Sequence, residues 1–101
     1  FVGGSGANEY WDNPTAHKIA NDANNAKKIV GAICIAPVTL AKAGLLKNKK
    51  ATTYSSTTND IKSSGAKYTG AEVERDGNII TASGPAAAQK FGEAIVKALG
   101  Q

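Results

Sequence analysis

This chain of 101 residues is poorest in sulfur and in apolar runs of any length. It holds one cysteine, no methionine, one histidine and one tryptophan. A lone cysteine excludes an internal disulfide and a zinc site built on several thiolates. It also suits a reducing compartment, so a cytoplasmic location is expected. No apolar stretch approaches the roughly 20 residues that cross a bilayer, and no charged-then-apolar leader opens the chain, so no membrane partner is expected. The first residue is Phe1. Phe1-Val2-Gly3-Gly4 reads as the end of a strand entering a glycine turn, with almost nothing of that strand before it.

Charge of one sign is also scarce. Twelve lysines and arginines stand against eight acidic residues, a net +4. The lysines are scattered, apart from Lys47, Lys49 and Lys50 in an expected turn. No aromatic residues interleave with them and no groove-reading helix is apparent, so that cluster reads as a solvated loop and nucleic acid is not an expected partner.

What the chain does contain is an alternation of helical and strand patterns, which points to one small α/β domain with a parallel sheet. Asn13 is placed to cap a helix with Pro14 at its first position, and Ala16, Ile19, Ala20 and Ala23 recur on one face. Lys28 to Ile33 reads as a buried strand, Pro37 to Ala43 as a short helix stopped by Gly44, and Lys50 to Tyr54 as a further strand. A helical turn is expected over Asp60 to Ser64, closed by Gly65. Glu72 to Arg75 and Asn78 to Thr81 flank Asp76-Gly77 as a hairpin. A last helix opens at Gly84-Pro85, with Ala88, Phe91, Ile95 and Leu99 as its inward stripe.

The cysteine falls between two of these elements, in Gly31-Ala32-Ile33-Cys34-Ile35-Ala36-Pro37. It occupies a sharp strand-to-helix turn with alanines two residues away on either side, the form of a nucleophile elbow. Such a turn exposes the sulfur at a helix N-terminus, a setting that favours thiolate, and aims the Ile35 amide at any oxyanion. The competing reading is an inert buried cysteine. The turn Gly3-Gly4-Ser5-Gly6-Ala7 also has two readings. It is a poor dinucleotide fingerprint. It lies, however, at the carboxyl end of a strand, as Cys34 does, and there a Gly4 amide would converge with that of Ile35. The alternative is a tight turn needing positive φ. His17 falls one residue off its helix's apolar stripe and is expected to face water. Glu9 lies just after the glycine turn and borders the same region.

Val2-Gly3-Gly4 with Gly6-Ala7, the cysteine segment, Ala43-Gly44-Leu45-Leu46-Lys47, Ala51-Thr52-Thr53-Tyr54, Asp76-Gly77-Asn78-Ile79-Ile80-Thr81 and Ser83-Gly84-Pro85-Ala86 occur in order. Together, from Phe1 to about Leu99, they closely resemble the ThiJ/PfpI superfamily of deglycases and intracellular peptidases. The resemblance implies a flavodoxin-like three-layer α/β sandwich, related to class I glutamine amidotransferases. It implies Cys34 as catalytic nucleophile, Ile35 and Gly4 as oxyanion donors, and Gly3, Tyr54 and Glu9 as lining residues. Neither a cofactor nor a metal is implied.

Three departures qualify that resemblance. Ile35 stands where PfpI-type peptidases usually carry histidine, which disfavours proteolysis. Tyr54 stands where deglycase-like members often carry histidine. Family chains are also longer at the N-terminus, so residues 1–101 read as the C-terminal portion of one domain, without the first strands and the glutamate that hydrogen-bonds the cysteine. The rest is expected from a missing segment or another chain, and self-association is expected as in relatives. These 101 residues alone are expected to be inactive. Three functions then follow in order: a glyoxalase- or deglycase-like cysteine enzyme acting on small reactive carbonyls, a non-catalytic stress sensor or chaperone-like protein using the same cysteine, and an intracellular peptidase.

Overall fold

The computed structural model describes residues 11–100. Helix α1 spans Pro14–Asn25, β1 Val30–Ile33, α2 Pro37–Lys42, β2 Lys50–Ala51, α3 Thr58–Ser63, β3 Lys67–Tyr68, β4 Val73–Asp76, β5 Ile79–Ala82 and α4 Ala88–Leu99. Short 3-10 turns at Ser55–Thr57 and Pro85–Ala87 lead into α3 and α4. Among the described residues the main sheet has the order β1-β5-β4, with β1 and β5 parallel and β4 antiparallel to β5. Strands β2 and β3 pair in parallel as a separate ribbon.

Side chains two apart on a strand share a face, and that alternation sorts the helices into layers. Val30 and Ala32 of β1, with Ile79 of β5, join a core filled by Ala20, Val38, Leu40, Leu46 and Ile61 from the α1, α2 and α3 side. Ile33 of β1 and Ala82 of β5 face the other way, toward Ala87 and Phe91. Gly31 turns to that second face as well. A Cβ there would stand 3.0 Å from Phe91 Cζ, so the absent side chain lets α4 lie close to the sheet. The result is helix, sheet, helix: an α/β sandwich with a mostly parallel sheet.

Local chemistry explains most element boundaries. The Asn13 side chain accepts from the Ala16 amide at 3.0 Å and Pro14 follows at the first helical position, so α1 starts as its sequence predicts. On its exposed face Asp22 lies 2.7 Å from Lys18 and holds that ammonium above its ordinary pKa, chiefly through their hydrogen bond. Helix α2 ends in a Schellman motif. Gly44 has φ +85°, its amide reaches Ala41, and the Leu45 amide reaches Leu40.

Several expectations are corrected. Ile19 is 58% exposed, so the buried face of α1 rests on Ala16 and Ala20. Along α4, Leu99 is 67% exposed and Ala88 is exposed; Ala98 is buried, while Phe91 and Ile95 are half-buried. On each helix the buried face is narrower than the apolar stripe. The strand expected over Lys50 to Tyr54 pairs only at Lys50–Ala51, where the next amide, that of Thr52, donates to the Thr81 hydroxyl instead of to a strand carbonyl. The hairpin loop is Gly77-Asn78, one residue later than expected, since Asp76 still pairs with Ile79. Only Gly77 of the two has positive φ, +64°, the pattern of a type II′ turn. Among the described residues no helix is long and apolar enough to cross a membrane.

Candidate functional site

Cys34 follows the last residue of β1 and stands three residues before α2. Its φ of +66° lies in the left-handed region, which costs a residue with a side chain roughly 1–2 kcal/mol. The geometry persists because the surroundings over-determine it. The Cys34 amide donates to the Ala82 carbonyl at 3.0 Å, extending the β1–β5 pairing by one residue. Its carbonyl accepts from the Tyr54 amide at 2.9 Å and from the Thr53 hydroxyl at 3.0 Å. The side chain is free of disulfide and half-buried, packing beside Ile33, Ala82 and Ala87. It is neither swallowed by the core nor fully exposed. Among the described residues no carboxylate hydrogen-bonds the thiol, and the Ile35 amide has no acceptor.

Tyr54 is 44% exposed and borders an open pocket of about 260 Å³, lined also by Thr53, Ser55, Tyr68, Ser83, Gly84, Pro85 and Ala86. Its ring lies against Gly84, where a Cβ would come within 3.1 Å of Cδ1. The structure therefore brings the Tyr54 backbone to Cys34 and its ring to the Ser83–Ala86 loop. Gly3, Gly4 and Glu9 lie outside the described residues.

His17 departs from its expected position in water. It is half-buried, and its Nε2 donates to the Trp11 carbonyl, a contact that serves the start of α1. Among the described residues no group of three or more histidine, cysteine or acidic side chains is arranged to hold a metal.

Sequence reasoning missed the threonines around Cys34. Thr53 and Thr57 are buried, their hydroxyls 2.7 Å apart, and Thr57 also approaches the Tyr54 carbonyl. The signal was present in Thr52-Thr53. Adjacent residues of an extended segment face opposite ways, so with both layers covered both hydroxyls need buried partners.

A family model described as "DJ-1/PfpI family" matches residues 1–98. The chain belongs to the DJ-1/PfpI family. It is 44% identical over 102 residues to an uncharacterized protein of Methanocaldococcus jannaschii, covering 98% of this chain and 50% of that one. A deglycase of Pyrococcus horikoshii is 35% identical over 74 residues, covering 73% of this chain and 45% of the relative. Among solved structures, a ThiJ/PfpI domain protein from Brachyspira murdochii superposes with a TM-score of 0.95 at 30% identity, over 98% of this chain and 58% of that one. The chain thus spans about half the length of the curated relatives it matches.

Proposed function

We propose that this DJ-1/PfpI-family protein is a cysteine-dependent enzyme acting on small reactive carbonyls, with Cys34 as its nucleophile. The observation that carries the reading is a half-exposed cysteine held at φ +66° in a strand-to-helix turn, next to an Ile35 amide with no acceptor among the described residues. Backbone strain of this kind is maintained at sites where a side chain must be presented. The family's deglycase-named members support the carbonyl class.

The sulfur of Cys34 attacks the aldehyde carbon, forming a C–S bond as the carbonyl π electrons move onto oxygen. That oxygen takes the proton lost from the thiol, so thiol plus aldehyde become a hemithioacetal with no change of oxidation state. The Ile35 amide stabilises the negative charge as it develops, and the family resemblance assigns the second donor to Gly4. The Tyr54 hydroxyl, at the edge of the neighbouring pocket, offers a hydrogen bond to the substrate and is not assigned as the base. Ile35 in place of a histidine removes the base that a peptidase would place beside its nucleophile.

The test is methylglyoxal consumption by the complete protein. Turnover that disappears in Cys34→Ala is the expected result. Turnover surviving in Cys34→Ala, or peroxide oxidation of Cys34 in a protein that consumes no aldehyde, contradicts the enzyme reading; the second outcome identifies a redox sensor.

A further inference from the structure

We infer that the buried hydroxyl pair Thr53–Thr57 is a positioning device that aims the Ile35 amide, by holding the carbonyl at the other end of the same peptide unit. The inference rests on the oxyanion role proposed for that amide.

The Cys34 carbonyl and the Ile35 N–H belong to one planar trans peptide, so they point in opposite directions. Whatever fixes the carbonyl fixes the amide. The carbonyl has two lone pairs, and both are engaged from the same side: the Tyr54 amide at 2.9 Å and Thr53 Oγ1 at 3.0 Å. The Ile35 N–H is therefore turned away from the 53–57 segment.

Proton counting shows why two threonines are needed. Each hydroxyl has one proton. If the Thr53 proton goes to the Cys34 carbonyl, the 2.7 Å contact between the hydroxyls requires Thr57 to donate to Thr53. The Tyr54 carbonyl, which Thr57 Oγ1 also approaches, is served independently by the Thr57 amide at 2.9 Å. Two proton arrangements satisfy these contacts, Thr57 to Thr53 to the Cys34 carbonyl or Thr53 to Thr57 to the Tyr54 carbonyl. We take the first, in which the Tyr54 carbonyl keeps the Thr57 amide and each bond polarises the next. With Thr53 1% and Thr57 4% exposed, water does not readily replace either partner.

The experiment separates amide alignment from sulfur reactivity in Thr53→Val, Thr53→Ser and Thr57→Val. Valine keeps the shape and removes the hydroxyl; serine keeps the hydroxyl. Three readouts are compared in the complete protein: the Ile35 amide resonance, methylglyoxal turnover, and alkylation of Cys34 by iodoacetamide, a displacement that develops no oxyanion. Thr53→Val is expected to move the Ile35 resonance and to lower turnover about tenfold or more, a fraction of what losing a whole oxyanion donor costs. Alkylation should stay within about twofold of the parent, and Thr53→Ser should restore the resonance and the turnover. Thr57→Val is expected to act in the same direction more weakly, and it carries the test if Thr53→Val does not fold. An unmoved Ile35 resonance overturns the inference, as does a parallel fall in turnover and alkylation. If the parent protein consumes no methylglyoxal, the enzyme reading fails, whereas the Ile35 resonance still decides whether the hydroxyl pair holds the amide.

Discussion

Cys34 presents its sulfur at a cost in backbone energy, and that cost is measurable apart from any chemistry. A left-handed conformation disfavours a residue with a Cβ by about 1–2 kcal/mol, and glycine escapes this penalty. Glycine also gains about 0.4–1 kcal/mol more freedom in the unfolded chain, which offsets part of the relief. Cys34→Gly and Cys34→Ala both lose the thiol and its packing, so their difference isolates the strain at φ +66°. We expect the glycine variant to be the more stable by about 0.5–1 kcal/mol in urea denaturation, and both to be inactive. Equal stabilities, or a more stable alanine variant, would mean that any strain at Cys34 is no larger than the roughly 0.4–1 kcal/mol by which glycine's freedom favours the unfolded chain, below the ~1–2 kcal/mol expected.

The ribbon of β2 and β3 is tied to the main sheet through side chains. Thr52 and Thr81 are both fully buried, and the Thr52 amide donates to Thr81 Oγ1 at 2.9 Å. Where a ladder bond would otherwise satisfy that amide, a hydroxyl on β5 does so. Thr81→Val preserves the volume but strands a buried N–H, at a cost of about 1–3 kcal/mol. That loss should appear as a lower denaturation midpoint, with faster hydrogen exchange at Thr52. Unchanged stability would show that the contact contributes nothing. This link also explains why the strand predicted from Lys50 to Tyr54 stops at Ala51. Composition favoured a β-strand there, but Thr52 and Thr53 take no part in strand pairing. Apart from the Thr53–Thr57 contact, their hydrogen bonds run to Cys34, Ala71 and Thr81, far along the chain, and local pattern carries no information about those partners. Helix α1 shows the opposite case. Its cap residue and first-turn proline act within four residues of sequence, so its start was legible, while the exposure of Ile19 depended on how far α1 reaches across the sheet.

Across the chain, what sequence showed best was order: the succession of elements, the turn holding Cys34, and a set of short motifs that matches the DJ-1/PfpI family over residues 1–98. The layering followed once alternate residues of β1 and β5 were assigned to opposite faces, with Gly31 marking the close approach of α4. Threonines were the blind spot. Thr53 and Thr57 read as ordinary strand and loop residues, yet their hydroxyls border the peptide on which the proposed chemistry depends. Among the described residues the polar partners of the Cys34 backbone are the Ala82 carbonyl, the Tyr54 amide and the Thr53 hydroxyl. Peptide orientation is therefore the variable that the fold has to control.

The central claim is that the Cys34 sulfur adds directly to an aldehyde, and carbon NMR of the complete protein mixed with carbonyl-labelled methylglyoxal tests it most directly. The account predicts a protein-bound hemithioacetal carbon that is present in the parent protein and absent from Cys34→Ala. Only free and hydrated aldehyde in the parent spectrum, or a bound carbon that persists in Cys34→Ala, would contradict it.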